Sequence, residues 1–186
     1  MKRTSEEQID ASRLAVPVGE HDHVQGLFEA PLTLVEYGDY ECPYCGSADE
    51  VVKTVQQALG KRLRFVYRNF PLTEMHPHAE LAAEAAEAAG EQGSFWEMHD
   101  LLFENQEALE EEDIAEYAEE LGLNVTRLLR EIETGAHRER IMQDLRGGVR
   151  SGVNGTPTFF TNGVRSNAPV EAEALVAELT QTAAVS

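Results

Sequence analysis

The chain has 186 residues, of which 42% are hydrophobic and 26% charged, enough apolar material for one moderately sized domain with its own core. Its 34 acidic residues outnumber the 15 lysines and arginines, and the formal net charge of −19 disfavours binding to nucleic acid or attraction to anionic lipid. No apolar run approaches the roughly 20 residues that a membrane-spanning helix needs, so we expect no membrane insertion.

Hydrophobic residues show no helical or strand spacing at the beginning of the chain, and we expect residues 1–12 to form a flexible tail. The charged N-terminus also lacks the apolar segment of a secretory signal, which predicts a cytoplasmic protein as written. A periplasmic or extracellular location stays open if a leader has been removed. The acidity suits either a high-salt environment or an ordinary soluble surface. The next apolar run, Leu14–Val18, predicts an edge strand, a position in which Pro17 is tolerated.

A second apolar run, Leu32–Gly38, is rich in β-formers and predicts a largely buried strand that ends at a glycine. A helix is predicted from Pro43 to about Leu59, and it stops at Gly60. Proline is favoured in a first helical turn because its missing N–H has no helical partner there. A strand, a short loop and a helix therefore follow one another in this part of the chain.

The only two cysteines of the chain, Cys42 and Cys45, lie one helical turn apart at the start of this helix. A disulfide between them would close almost no loop and remove little entropy from the unfolded chain, so the spacing favours redox chemistry over a structural staple. A zinc site would need a second Cys or His pair at ligand spacing, and none is visible. We expect no metal, and no cofactor beyond a redox-active Cys42–Cys45 disulfide.

Cys42 occupies the predicted helix N-terminus, where unpaired N–H groups and the helix dipole stabilise a thiolate. Its pKa is expected to fall from about 8.5 into the range of roughly 3.5 to 7.5. Cys45, one turn inside the helix, should be more buried and less reactive. The two positions therefore predict that Cys42 attacks and Cys45 resolves.

Glu36 lies within the predicted strand, and its apolar neighbours indicate a side chain buried beneath the following helix. The alternative is an edge residue that faces solvent. A buried acid would suit the chemistry, since Cys45 cannot resolve a mixed disulfide until a base accepts its proton. Among the nearby tyrosines, Tyr37 is expected in the core, whereas Tyr40 and Tyr44 are expected to form an apolar rim that receives polypeptide.

After this helix, the hydrophobicity of the side chains alternates along residues 63–70. This pattern predicts a strand parallel to the first, which completes a βαβ unit. The pattern then becomes helical from about 77 to 153, and Ser94 with Glu97 predicts a capping box. The other predicted elements are helices at 78–89, 113–121, 126–132 and 170–179, a strand at 158–161, and a turn at 162–163 that leads to a short hairpin strand at 164–165.

The histidines form two close pairs that could invite a metal, His21 with His23 and His76 with His78. Short pairs of this kind are usually loop, cap or packing residues, and we expect that here. His99 lies inside a predicted helix and is expected to be structural.

The segment Val35–Cys45 resembles the active-site strand and helix of the DsbA-like thiol-disulfide oxidoreductases, a family with a thioredoxin fold interrupted by a helical domain. Gly155–Phe160 is similar to the loop whose cis-proline faces the disulfide in thioredoxin-fold proteins. Residues 68–72 and 75–79 are similar to soluble DsbA-like domains, some of which are fused to membrane transporters. Together the matches run from about residue 22 to 179.

The resemblance implies an α/β protein, a thioredoxin-like fold with an inserted α-helical bundle. The thioredoxin-like domain would comprise residues 13–73 and 154–182, with the helical insertion at 74–153. The implied activity is disulfide exchange with protein thiols or disulfides, including those of unfolded polypeptide.

The resemblance also implies roles for individual residues. Glu36 corresponds to an acid that lies behind the second cysteine and moves protons to and from it. A cis bond between Thr156 and Pro157 would present the Thr156 backbone to an extended substrate. The expected substrate-binding residues are Pro43, Tyr44, Tyr40, Thr156 and Pro157.

Two other functions stay open at this point. The chain could be a non-catalytic peptide-binding or chaperone-like module with a vestigial disulfide. It could also be a glutathione-linked enzyme, because Cys-Pro-Tyr-Cys is a glutaredoxin-type motif, although no obvious basic cluster is present for the glutathione carboxylates. The direction of exchange, oxidation or reduction, also stays open.

Overall fold

The computed structural model describes residues 12–182, so the predicted tail lies, apart from residue 12, outside the described part of the chain. The strands are β1 (His23–Gly26), β2 (Leu32–Gly38), β3 (Leu63–Asn69), β4 (Thr158–Thr161) and β5 (Val164–Arg165). They form one sheet in the order β1-β3-β2-β4-β5. Strands β2 and β3 are parallel, and the other neighbouring pairs are antiparallel.

The predicted βαβ unit is confirmed. Strand β2 is buried along its whole length, since it lies in the middle of the sheet with helices on both faces. Helix α1 (Pro43–Leu59) connects β2 to β3. It ends at Gly60, whose φ of 52° is a left-handed conformation that glycine adopts readily. A 3₁₀ turn, Gly60–Arg62, leads into β3.

Five helices lie between β3 and β4, and a last helix follows β5, which confirms the expected α/β architecture with a helical insertion. The first of the five is rich in buried alanines, whose small side chains allow the next helices to pack closely against it. These helices are α2 (Ala79–Gly90), α3 (Phe95–Glu104), α4 (Glu111–Glu120), α5 (Val125–Glu133), α6 (Arg138–Arg150) and α7 (Ala172–Thr182).

Two hydrophobic cores lie on opposite faces of the sheet. Leu34 belongs to the larger core, which it shares with Cys45 and the buried faces of α1 and α7. Val35 and Tyr37 belong to the smaller core on the other face. Because side chains alternate along a strand, Glu36 lies on the same face as Leu34, beneath α1.

The edge strand predicted at Leu14–Val18 is wrong. The carbonyl groups of Val16 and Pro17 accept hydrogen bonds from the buried guanidinium of Arg68, at 2.8 and 3.2 Å, and so do not join a strand ladder. The edges of the sheet are β1, antiparallel to β3, and β5, antiparallel to β4. At the start of this segment Arg13 forms an isolated antiparallel bridge with Val164 of β5, and the Leu14 N–H donates to the Gly163 carbonyl at 2.9 Å, so the backbone pairing ends at the first residue of the predicted strand.

The capping box predicted at Ser94 and Glu97 is also wrong. Ser94 is the N-cap of α3, but its side chain makes no cap hydrogen bond. Its φ of −125° and ψ of 40° lie outside the extended region typical of an N-cap. A capping box occurs instead at α4, where the Glu110 N–H donates to the Asp113 carboxylate at 2.9 Å.

Two adjacent glycines, Gly147 and Gly148, allow α6 to approach the sheet closely. A Cβ atom at Gly148 would lie 2.7 Å from the ring of Phe70 and 3.0 Å from that of Tyr37. We expect Gly148→Ala to lower the free energy of unfolding by about 1 kcal/mol, because an overpacking cost of roughly 1–3 kcal/mol outweighs the roughly 1 kcal/mol by which alanine favours a helix.

Denaturant unfolding measures this effect, with Gly147→Ala as the matched control. A Cβ atom at Gly147 would lie 3.3 Å from the side chain of Val16, which is a milder contact, so this variant should lose less stability. Equal stability of Gly148→Ala and the unchanged protein would show that α6 can move away from the sheet at no cost.

Candidate active site

Cys42 is the N-cap residue of α1, and Pro43 begins the helix, as predicted. The Cys42 carbonyl accepts from the Cys45 N–H at 3.0 Å, which starts the helical hydrogen-bond pattern. Gln106, in the loop after α3, donates from Nε2 to the carbonyls of Tyr40 and Cys42, both at 2.8 Å. The helical insertion therefore holds the loop that carries Cys42.

The pKa of the Cys42 thiol is lowered to about 5. The hydrogen bond with the Cys45 thiol contributes most, and burial opposes the shift. The side chain of Thr156 and the backbone N–H groups of Cys45 and Tyr44 stabilise the thiolate further. At neutral pH Cys42 is therefore a thiolate, which agrees with its position at a helix N-terminus.

Cys45 has the opposite environment. It is fully buried, and burial raises the pKa of its thiol, with smaller contributions from the hydrogen bond to Cys42 and the charge of Glu36. Its Sγ also lies 3.5 Å from the backbone N–H of Asp39. Both cysteines are free thiols in this structure. The two thiols are thus shifted in opposite directions, as their positions on α1 predict.

Glu36 is 2% exposed, so the alternative of a solvent-facing edge residue is wrong. Burial raises the pKa of its carboxyl group well above the usual range, and the charges of Asp49 and Cys42 raise it further. The Oε1 atom has no hydrogen-bond partner. The two nearby arginines contact other groups: Arg68 pairs with Asp22, and Arg64 donates to the side chain of Thr33 and the backbone of Phe28. Glu36 therefore lies behind the cysteines as an acid that keeps its proton to a higher pH than an ordinary carboxyl group does.

The peptide bond between Thr156 and Pro157 is cis, as predicted. The Thr156 carbonyl lies 3.5 Å from the Sγ of Cys42, which places this loop against the reactive cysteine. An open groove of about 350 Å³ runs beside it, and Tyr44, which is 76% exposed, forms one side of it. The groove is lined by Tyr44, Ser47, Ala48, Thr156, Pro157 and Val170.

Tyr40 does not belong to this rim, and its predicted place in a substrate-binding surface is wrong. It is 1% exposed, and its ring packs between those of Tyr67 and Phe103, with centroids 5.1 and 4.9 Å away. Its hydroxyl lies 3.0 Å from Nδ1 of His99 on α3. Strand β3 supplies Tyr67 and the insertion supplies Phe103 and the polar partner His99, so the whole side chain can be buried.

Sequence reasoning missed Asp39, which contacts both cysteines through its backbone. Its carbonyl accepts from the Cys42 N–H at 3.1 Å, and its N–H points at the Cys45 Sγ. The buried carboxylate accepts from the Leu72 N–H and contacts Nδ1 of His76, both at 2.8 Å. The available signal was an acidic residue placed between the strand and the cysteine pair.

His76 is a loop residue, as expected, and its ring contacts the Asp39 carboxylate beside the cysteines. Burial lowers its pKa, whereas the hydrogen bond and the charge of Asp39 raise it more, so that the net shift is upward. The Cys42 thiolate adds to that upward shift. The upward shift of the His76 pKa therefore favours a protonated ring beside Asp39.

One group of possible metal ligands occurs within residues 12–182, formed by Asp49, His99 and Asp100. The Nζ of Lys53 lies 2.8 Å from the Asp49 carboxylate and 3.2 Å from that of Asp100. A lysine ammonium therefore already balances the charge of these two carboxylates, and the arrangement gives no support to a metal.

The family model described as thioredoxin matches residues 19–180. A curated relative, Na(+)/H(+) antiporter NhaA 1 of Salinispora arenicola, is 49% identical over 168 residues, which is 90% of this chain and 26% of the antiporter. The chain thus spans about a quarter of the length of the curated relatives it matches. No helix in the described part of the chain combines the length and the hydrophobicity needed to cross a bilayer.

Solved structures agree with the family model. A thioredoxin-like oxidoreductase from Silicibacter pomeroyi is 30% identical with a TM-score of 0.79, and the match covers 90% of this chain and 95% of that one. Oxidised BdbD from Bacillus subtilis has the same fold, with a TM-score of 0.84 at 21% identity and coverage of 93% and 98%. The chain therefore belongs to the thioredoxin family, and it shares its fold with DsbA-like proteins.

Proposed function

We propose that the chain exchanges disulfides with polypeptide substrates through Cys42-Pro43-Tyr44-Cys45, with Cys42 as the attacking thiol and Cys45 as the resolving one. The observation that carries the proposal is the opposite shift of the two thiols. Cys42 has a pKa of about 5 and contacts Thr156, which lines the groove, whereas Cys45 lies one turn deeper with no exposed surface and has a raised pKa. A vestigial disulfide in a binding module would not need this difference.

In the oxidising direction, a substrate thiolate attacks Sγ of Cys42 in the Cys42–Cys45 disulfide. The disulfide breaks, and Cys45 leaves as a thiolate that takes a proton from Glu36. A second substrate thiolate then attacks the substrate sulfur of the mixed disulfide, so that Cys42 leaves as a thiolate. Two electrons pass from the substrate to the protein, and the reverse sequence reduces a substrate disulfide.

The low pKa of Cys42 favours donation of the disulfide. A stabilised thiolate stabilises the reduced protein relative to the oxidised one, which makes the disulfide a stronger oxidant. This contribution is present above the ordinary thiol pKa and is lost as the pH falls through about 5, because the folded-state pKa of Cys42 is depressed. We therefore propose an oxidase rather than a reductase.

The groove supports a polypeptide as the substrate. Its lining residues include no lysine or arginine, so it offers no obvious cation to the carboxylates of glutathione. Exposed Tyr44 and Val170 give it apolar sides. The backbone beside Thr156 is placed to pair with an extended chain whose cysteine lies at Cys42, as in strand addition.

A titration of the reduced protein tests the premise. We expect an alkylating reagent to modify Cys42 first, with a reactivity midpoint near pH 5, and to leave Cys45 unmodified until the protein unfolds. Equilibration with glutathione buffers should give a reduction potential closer to about −120 mV, as in a strong oxidant, than to about −270 mV, as in a reductant. Equal alkylation rates would contradict the assignment of the two thiols, and a potential near the lower value would contradict the direction.

A further inference from the structure

A charged cluster on α1 and α3 lies next to the buried acid and has no role in the exchange steps. Asp49, one turn after Cys45 on α1, is buried, and its Oδ2 lies 2.8 Å from Nζ of Lys53, one turn further along. Lys53 is half-buried, and its Nζ also lies 3.2 Å from Oδ1 of Asp100, whose side chain is partly exposed. The ammonium of Lys53 therefore lies between the buried carboxylate of Asp49 and the protein surface.

The other side of Asp49 faces a buried histidine. Burial lowers the pKa of His99, so its ring is neutral at neutral pH. Its Nδ1 lies 3.0 Å from the hydroxyl of Tyr40 and its Nε2 lies 3.7 Å from Oδ1 of Asp49. If Tyr40 donates to Nδ1, the proton of the neutral ring is on Nε2 and points at Asp49. Lys53 is therefore the cation that balances Asp49 within this cluster.

Glu36 pairs in register with Tyr67 of β3, whose ring centroid lies 4.7 Å from that of His99, the residue that contacts Asp49. The charge of Asp49 raises the pKa of Glu36 further than burial alone does. Of the described residues, none forms an ion pair with Glu36. The titratable groups that act on Glu36 come from α1, from the loop before it and from β3, and they are Cys42, Cys45, Asp49, Tyr40 and Tyr67.

We propose that Asp49 is a positioning residue that holds the proton on Glu36, and that Lys53 limits the strength of this hold. The inference rests on the proposed role of Glu36 in exchange with Cys45 and adds a control of that step. The negative charge of Asp49 disfavours a second carboxylate beside it, and the ammonium of Lys53 partly cancels that charge. The pH at which Glu36 becomes a base is set by this pair on α1.

The proposal predicts opposite effects for the two charges. Asp49→Asn removes the negative charge and leaves Lys53, so Glu36 should release its proton at a lower pH. Lys53→Met leaves Asp49 unbalanced, so Glu36 should hold its proton to a higher pH. Lys53→Arg keeps the cation and should restore the unchanged profile. A general loss of packing would move both variants in the same direction.

The experiment mixes the reduced protein with excess oxidised glutathione over a range of pH. Cys42 attacks and releases one glutathione thiolate, and Cys45 then resolves the Cys42–glutathione disulfide and releases the second. Acid quenching and mass measurement follow the decay of the mixed disulfide. We expect the midpoint of the resolution rate to move down by about one pH unit in Asp49→Asn and up by about as much in Lys53→Met.

Glu50→Gln is the matched control, because it removes a carboxylate from the exposed face of the same helix, and it should leave the midpoint unchanged. Circular dichroism and thermal unfolding establish that each variant is folded. The double variant Asp49→Asn/Lys53→Met removes both charges, and the pH midpoint of its resolution rate should lie between those of the two single variants.

The outcomes separate this inference from the proposed function. If Glu36→Gln keeps the same midpoint as the unchanged protein, Glu36 is not the titrating base and the proposed relay fails. If Glu36→Gln loses the midpoint but Asp49→Asn and Lys53→Met leave it in place, or move it in the same direction, the relay stands and the role of Asp49 is overturned.

Discussion

We expect Cys42→Ser to abolish disulfide exchange, whereas the Cys45→Ser variant should still attack through Cys42 and then accumulate mixed disulfides with its substrate. The reason lies in the different environments of the two sulfurs. Of the two, only Cys42 is a thiolate at neutral pH and contacts the Thr156 loop that lines the groove, and a serine hydroxyl in its place stays protonated and does not attack. Cys45 is needed only to release the substrate, so its removal leaves the first step in place.

The measurement uses a reduced, unfolded polypeptide and a disulfide-bonded one as the two substrates. Non-reducing gels and mass spectra should show a covalent adduct on Cys42 in Cys45→Ser and no adduct in Cys42→Ser. Thr54→Ala, which changes an exposed side chain of α1 that does not line the groove, is the matched control and should keep exchange activity. An adduct on Cys45 in Cys42→Ser would reverse the assignment.

The parts of the site that local sequence determines were predictable. A proline in the first turn fixes where α1 begins, so the position of Cys42 at its N-terminus follows from the sequence alone. The alternation along β2 places Glu36 on the face beneath α1 in the same way. Both predictions need only the period of one element and its immediate neighbours.

The parts that depend on contacts between distant segments were not predictable. Tyr40 is buried because α3 brings Phe103 and His99 over it, and nothing in the loop sequence indicates that contact. Asp49 and Lys53 read as an ordinary helical pair at positions i and i+4, and only the fold shows that Asp49 lies beside a buried acid. Polar residues in a core are the ones whose role the tertiary structure decides.

Glu36→Gln should leave the attack by Cys42 nearly unchanged and slow the resolution by Cys45 by about 100-fold at neutral pH, the lower end of the range for general acid–base catalysis. Cys45 is buried and its raised pKa leaves almost no thiolate, so resolution depends on a group that takes its proton. The neutral amide of glutamine has nearly the shape of the carboxyl group but cannot accept that proton.

The same substitution has a second consequence for pH dependence. The pKa of Glu36 is raised in the folded protein, so stability falls as the pH rises above the ordinary carboxyl pKa, where the unfolded chain has already lost this proton, and stops falling once the raised pKa is passed. Glu36→Gln removes this cost, and the variant should therefore be as stable as the unchanged protein at low pH and more stable at high pH. Urea unfolding of the reduced proteins across this range checks the sign.

Rapid quenching separates the two steps. In the unchanged protein, attack on oxidised glutathione should be followed by quick resolution, so that little mixed disulfide builds up. In Glu36→Gln the attack phase should keep its rate and the mixed disulfide should persist, with the block relieved as the pH rises and hydroxide removes the Cys45 proton directly. Resolution as fast as in the unchanged protein would mean that Cys45 loses its proton to solvent, and that the buried carboxyl group serves the fold alone.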